Sequence, residues 1–204
     1  MYFQGDRKDM NDIIINNLSK SFGEKTVLSD FSETIPTHKT TAIMGESGIG
    51  KTTLINIIMG LEKADSGEIS GVPDKISAVF QEDCLCEDFS AISNIRAVTG
   101  NKISKENISS TLKEFGLSSN DLTLPSRELS GGMKRRVAIA RALLAESDLI
   151  IMDEPFKGLD IETRSSVIRV ILNSISQSKR TLIIITHSPE EAELLSSDKI
   201  IVIH

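Results

Sequence analysis

The sequence predicts an α/β fold built around a mainly parallel sheet, and two observations carry that reading. Residues 149–152 and 182–185 are continuous apolar runs of strand length, the pattern of strands buried on both faces. Helical segments lie between the strand candidates, and such alternation winds a parallel sheet. The 204 residues are 39% apolar and 25% charged, which suits one domain with an ordinary core.

The elements follow in order. Residues 13–18 and 31–35 read as strands, with a turn at Phe22-Gly23-Glu24-Lys25 between them. Residues 40–44 form a short strand that runs into a glycine. The segment 52–59 reads as a helix with Leu54, Ile55 and Ile58 on one face, and Gly60 stops it. Residues 68–70 and 75–80 are short strands. From 84 to 127 strand-like runs vanish. Ile108, Leu112 and Phe115 stand at i, i+4 and i+7, an amphipathic helix in a helical insertion that Pro125 closes. Residues 131–145 then read as a helix with Met133, Val137, Ala140 and Leu144 on one face. A helix over 161–176 and a last strand over 200–203 complete the pattern. Tyr2-Phe3-Gln4-Gly5 resembles an engineered protease-cleavage tag, so residues 1–5 are set aside.

Charge and composition exclude several functions. Lys and Arg total 23 against 29 Asp and Glu, a net charge of −6. Nucleic-acid binders carry the opposite excess, so nucleic acid is not an expected partner. Cys84 and Cys86 are the two cysteines, and His38, His187 and His204 are scattered. A closed zinc site needs four ligands, so the cysteines read as free cytosolic thiols. No apolar run reaches the roughly 18–20 residues that span a bilayer.

Chemistry enters at Gly45-Glu46-Ser47-Gly48-Ile49-Gly50-Lys51-Thr52, which fits G-x-x-x-x-G-K-[ST] at every fixed position. It follows a predicted strand and opens a predicted helix, the context a phosphate loop requires. Glycines let the backbone curl so that successive N–H groups face phosphate oxygens. The helix N-terminus adds partial positive charge. Lys51 can reach the β/γ-phosphates, and the Thr52 hydroxyl can ligate Mg²⁺.

A second site candidate is Asp153-Glu154, directly after the apolar run 149–152. Ligands of open α/β sheets sit at the carboxyl ends of strands. Asp153 is placed to hold Mg²⁺ through a water, and Glu154 to orient or deprotonate an attacking water. A solvated acidic turn before Pro155 is the bland alternative. A third is Leu129-Ser130-Gly131-Gly132-Met133, at the start of a helix. Ser130 suits an N-cap, and the glycines leave N–H groups open to an anion; ordinary capping is the competing reading. Lys134, Arg135 and Arg136 follow and read as a solvated or interface face.

Taken together, Gly45 to Thr52, Gln81, Leu129 to Met133, Asp153-Glu154, Gly158-Leu159-Asp160 and His187 resemble the ATP-binding cassette (ABC) ATPases over nearly the whole chain from Ile13. The resemblance implies a P-loop NTPase fold: a RecA-like core with a mainly parallel sheet, an antiparallel N-terminal β subdomain and an inserted α-helical subdomain. It divides 6–204 into a nucleotide-binding core, 6–83 and 146–204, and an insertion, 84–145, carrying the signature motif. It implies ATP and Mg²⁺ as ligands, and two cassettes sandwiching two ATPs head to tail in a homodimer. Ser130, Gly131 and Gly132 would then face the γ-phosphate held by the partner, and Asp160 would lie at the dimer interface. Gln81 matches the residue that touches Mg²⁺ or the water. Glu154 matches the catalytic glutamate, and His187 the histidine that contacts the γ-phosphate. Thr53 joins Gly45 to Thr52 in holding the nucleotide, and Phe22 matches the aromatic that stacks on adenine. His187 could instead be a structural histidine, and Phe22 simply a packed turn residue.

Without a membrane span, the transport path would belong to a separate permease, with a solute-binding protein a further partner. The chain would then sit at the cytoplasmic face of the membrane. Met-Asp-Glu-Pro-Phe, Gly-Leu-Asp and Leu-Ser-Gly-Gly-Met-Lys-Arg-Arg-Val resemble the importer branch that handles nitrate, sulfonate and taurine. Residues 80–89 match in position the surface that couples to the membrane subunit. Met133 replaces the glutamine common at that signature position. The sequence stops at His204, just after the last predicted strand, so no regulatory C-terminal domain is expected. A soluble, non-transport ABC ATPase of DNA repair or translation is the alternative function. A GTPase would want Asn-Lys-x-Asp, and Asn101-Lys102-Ile103-Ser104 fails at its last position. A module that binds without hydrolysing is disfavoured by Glu154 and His187.

Overall fold

The chain opens with two long strands, β1 (Ile13–Phe22) and β2 (Lys25–Ile35), hinged at Gly23-Glu24. Both run longer than the predicted strands. The ladder is broken by register shifts between Ile15 and Leu18 and again near Lys20, so the alternation that betrays a strand is interrupted. The computed structural model that provides these elements describes residues 11–195 and 197–203; the tag-like residues 1–5 and His204 lie outside them.

There follow β3 (Thr40–Met44), α1 (Lys51–Ile58), β4 (Ser66–Ser70) and β5 (Ile76–Val79). Next come α2 (Ala91–Thr99), α3 (Lys105–Glu114), a 3-10 turn (Ser126–Glu128) and α4 (Gly131–Leu144). The chain then forms β6 (Leu149–Asp153), α5 (Ile161–Ser178), β7 (Thr181–Ile185), α6 (Pro189–Leu194) and β8 (Lys199–Val202). Helix α2 lies within the predicted helical insertion but was not resolved there as a separate element, and α6 had no counterpart in the sequence pattern. They span nine and six residues; α6 is too short to display a helical period, whereas α2 buries Ala91, Ile92, Ile95 and Thr99 along one face. Side-chain caps mark both: Ser90 Oγ accepts from Ser93 N, and Ser188 Oγ from Glu191 N.

The strands form two sheets. β2, β1 and β4 make an antiparallel sheet in that order, and β5-β6-β7-β3-β8 make a five-stranded sheet. Every pairing in the second sheet is parallel. The mainly parallel sheet, the antiparallel N-terminal sheet and the helices are as expected for a P-loop NTPase.

Side-chain alternation explains why residues 149–152 of β6 and 182–185 of β7 are apolar without a break. Ile150, Met152, Leu182 and Ile184 face a core cluster shared with α2, α3, α4 and α5. Leu149, Ile151, Ile183 and Ile185 face the opposite cluster, shared with α1 and the antiparallel sheet. All ten residues of these two strands are buried, so each strand needs apolar side chains on both faces.

One expectation is corrected. Arg135 is not part of a solvated face: it is 7% exposed and donates to the carbonyls of Phe80 and Gln81. Arg136 likewise turns inward and donates to the carbonyls of Phe115 and Gly116. A burst of three cations looks like a surface only while the carbonyls that receive them are unseen.

Candidate active site

Parallel strands bring their carboxyl ends to one edge of the sheet. Ile43 pairs with Ile185, and Ile185 with Asp153, so β3, β7 and β6 end level with one another. Val79 pairs with Met152, which sets Gln81 beside Glu154 at the same edge. The register therefore gathers segments that are far apart in sequence.

The loop from Gly45 to Gly50 joins β3 to α1. Gly50 caps the helix at φ 118°, and a Cβ there would lie 2.5 Å from the Val27 carbonyl oxygen. A Cβ on Gly45 would lie 2.6 Å from the Ile203 carbonyl. Only glycine allows the loop to lie this close to its neighbours. Lys51 folds back over the loop. Its Nζ donates to the carbonyls of Gly45 at 2.8 Å and Glu46 at 2.7 Å, and the residue is buried.

Thr52 Oγ1 donates to Asp153 Oδ2 at 2.7 Å. Asp153 is 1% exposed, and its other oxygen, Oδ1, is buried without a hydrogen-bond partner. Burial pushes the Asp153 carboxyl above its ordinary range, opposed by the Thr52 hydrogen bond and then by the Lys51 charge and the Gln81 side chain. Glu154, the next residue, adopts a left-handed backbone at φ 46°, held by its N–H donating to the Ile185 carbonyl. Such strain concentrates where a side chain must be aimed. Its carboxylate lies 3.8 Å from His187 Nδ1 and 3.6 Å from Lys157 Nζ.

A cavity of about 250 Å³ opens here. Phe22, Ser47, Gly48, Gly50, Lys51, Thr52, Thr53, Gln81, Asp153 and Glu154 line it, all predicted site residues. Lys25 and Val27 line it as well and had been missed. Both lie just past the β1–β2 turn, and no motif marks them; Lys25 Nζ donates to the Gly48 carbonyl at 3.4 Å. Lys157 beside Glu154 was missed for the same reason.

Other predicted residues stand elsewhere. Gly45, Glu46, Ile49 and His187 line a neighbouring, more open cavity with Val202 and Ile203. His187 is exposed, so it is no buried structural histidine. Phe22 is half exposed rather than part of the core. Ser130, Gly131 and Gly132 line neither cavity. Ser130 is exposed at the head of α4, where its Oγ accepts from Met133 N, and Gly132 packs beside Leu159. Asp160 caps α5 through Thr163 N and Oγ1, and those hydrogen bonds hold its carboxyl below the usual range. Cys84 and Cys86 are free and exposed. Among the described residues no helix is long and apolar enough to cross a membrane.

This geometry can be set beside known proteins. The family model described as ABC transporter matches residues 28–157. The aliphatic sulfonates import ATP-binding protein SsuB 1 of Paracoccus denitrificans is 36% identical over 193 residues, covering 94% of this chain and 78% of that protein. SsuB 2 of Pseudomonas syringae pv. tomato is 35% identical over 183 residues, covering 90% and 78%. Among solved structures, the dimeric bacterial ABC transporter cassette MJ0796 superposes with a TM-score of 0.83 at 27% identity, covering 94% of both chains. A post-hydrolysis state of the same cassette, bound to ADP and Pi, gives 0.81 at 26% identity and the same coverage.

Proposed function

This chain belongs to the ABC transporter family, and from that premise we propose that it is the ATP-hydrolysing subunit of an importer whose membrane path is a separate permease. The observation that carries the reading is the single cavity that unites Lys51, Thr52, Gln81, Asp153 and Glu154 at the sheet edge. The named relatives are import subunits for aliphatic sulfonates, which supports the sulfonate, nitrate and taurine branch. A solute-binding protein and a position at the cytoplasmic face of the membrane are part of the same proposal.

The residues present suit Mg²⁺. The Thr52 hydroxyl and the Asp153 carboxylate meet at one point, and Asp153 Oδ1 is buried without a partner. Oxygen donors of this kind are what the ion takes. Thr52, Asp153 and Gln81 would hold it, and it would supply neutralising charge to phosphate oxygens.

The rest is done by the chain itself. The ammonium of Lys51 would exchange the carbonyls of Gly45 and Glu46 for β/γ-phosphate oxygens. Loop N–H groups from Ser47 to Thr53 would hold the same oxygens. Phe22 would stack on the base. Glu154 would accept a proton as water oxygen bonds to the γ-phosphorus and the bond to the bridging oxygen breaks, giving ADP and phosphate. His187, 3.8 Å from Glu154, would hold the transferred group.

Ser130–Gly132 do not line the cavity of their own chain. An exposed, glycine-tipped helix start suits the nucleotide of a second copy, and MJ0796 is a dimer of a closely similar fold. Two copies would close head to tail, with Asp160 near the seam. Closure then depends on ATP binding the closed state better than the open one.

Lys51→Ala tests the assignment. It should abolish ATP binding or turnover, measured as phosphate release and as binding of a fluorescent ATP analogue. Turnover at the wild-type rate would remove the phosphate-loop reading.

A further inference from the structure

Arg135 lies in the second turn of α4, just past Gly131 and Gly132, and its side chain is 8% exposed. A buried guanidinium needs partners for its N–H groups. Nη1 donates to the Phe80 carbonyl at 2.7 Å, Nη2 donates to the Gln81 carbonyl, and Nε stands 3.1 Å from Asp83 Oδ1. Further along the same helix, Arg141 donates to the carbonyls of Asp83 at 3.0 Å and Cys84 at 2.6 Å. The loop that leaves β5 is thus gripped by two arginines of one helix.

The same loop carries Gln81, which lines the cavity together with Asp153 and Glu154. Arg135 holds the backbone of Gln81 itself. Its planar fork takes two consecutive carbonyls at once, which a lysine ammonium cannot do with the same fixed geometry. Its helix also begins at the glycine-tipped Ser130.

We infer that Arg135 is a positioning residue: by gripping the Phe80 and Gln81 carbonyls it sets where the Gln81 amide stands beside Asp153, and ties that position to the helix that begins at Ser130. The inference rests on the ATPase reading above. Arg135 touches no reacting atom and acts through Gln81 alone.

The test is a double-mutant cycle on the purified chain, with kcat and KM for ATP hydrolysis and Tm measured for wild type, Gln81→Ala, Arg135→Gln and the double variant. Arg135→Gln should lower kcat on the order of tenfold, as small misplacements near reacting groups do, and leave KM within about twofold. With Gln81 already alanine, the second substitution should change kcat by less than about twofold. An anchor with a merely structural role would lower kcat by the same factor in both backgrounds, and that outcome overturns the inference, as does an unchanged kcat in Arg135→Gln. Should Arg135→Gln fail to fold, Arg135→Lys serves in the same cycle. It keeps the charge beside Asp83 and should show a smaller fall in kcat with the same dependence on Gln81. Absent turnover in the wild type overturns the ATPase reading and this inference together; a wild type that hydrolyses ATP with an additive cycle overturns the Arg135 inference alone.

Discussion

The Thr52 hydroxyl donates to Asp153 Oδ2 at 2.7 Å, joining the first turn of a helix to the end of a strand 101 residues later. This bond links the helix that follows the glycine-rich loop to the acidic strand end. It also leaves a carboxylate buried with one oxygen unpartnered, an arrangement that favours a ligand over stability.

Asp153→Asn should therefore stabilise the nucleotide-free chain at neutral pH while impairing turnover. Burial raises the Asp153 carboxyl in the folded state above the unfolded value. Between those two values the folded state binds more protons, so stability falls as pH rises through that window. Above it the penalty is present in full, and below the unfolded value it is absent. The variant should melt at a higher temperature than the wild type at neutral pH. The gain should vanish in acid, below the unfolded value. Thermal melts across pH decide it, and a lower Tm at neutral pH would contradict the account.

Phe22→Ala should weaken ATP binding with little change in fold. The ring is 50% exposed, with Lys20 Nζ 5.1 Å from its centroid, so few core contacts are lost. Base–aromatic stacking of this kind makes a dissociation constant about tenfold weaker the expected outcome. Titration with a fluorescent ATP analogue measures it, and Phe22→Trp should retain affinity. Equal affinity in the alanine variant would leave Phe22 without a role at the base.

Glu154→Gln should keep ATP bound and lower turnover by on the order of a hundredfold or more, the scale of a lost general base. Its backbone stays in the same left-handed position, because that position is held by the Ile185 carbonyl rather than by the side chain. Size-exclusion chromatography in saturating ATP should show a dimer. A strictly monomeric variant would count against the head-to-tail sandwich.

Ser130→Arg should block turnover and leave ATP binding to the monomer intact, since Ser130 lies outside the cavity of its own chain. Calorimetric ATP binding and phosphate release, measured on the same sample, separate the two effects. Full turnover would remove the signature segment from the reaction.

Local features were legible in the sequence. The strand, loop and helix around Gly45 to Thr52 are contiguous, and their chemistry is written in the types of eight neighbouring residues. The apolar runs of β6 and β7 announced burial on both faces, because each side of the sheet meets a separate core cluster. The capped helix α6 escaped notice because a period needs more turns than its six residues have.

By itself, then, the sequence determined the fold class, the position of the G-x-x-x-x-G-K-T loop between a strand and a helix, and the place of the acidic pair at a strand end, since each depends on residues adjacent in the chain. Tertiary structure alone decided which of them meet. Parallel register brings Asp153 to Thr52 and Gln81 to Glu154, and it leaves Ser130 outside the cavity. It also turned Arg135 from an apparent surface charge into the grip on Gln81, because a cation's partners are carbonyls that carry no mark in the sequence.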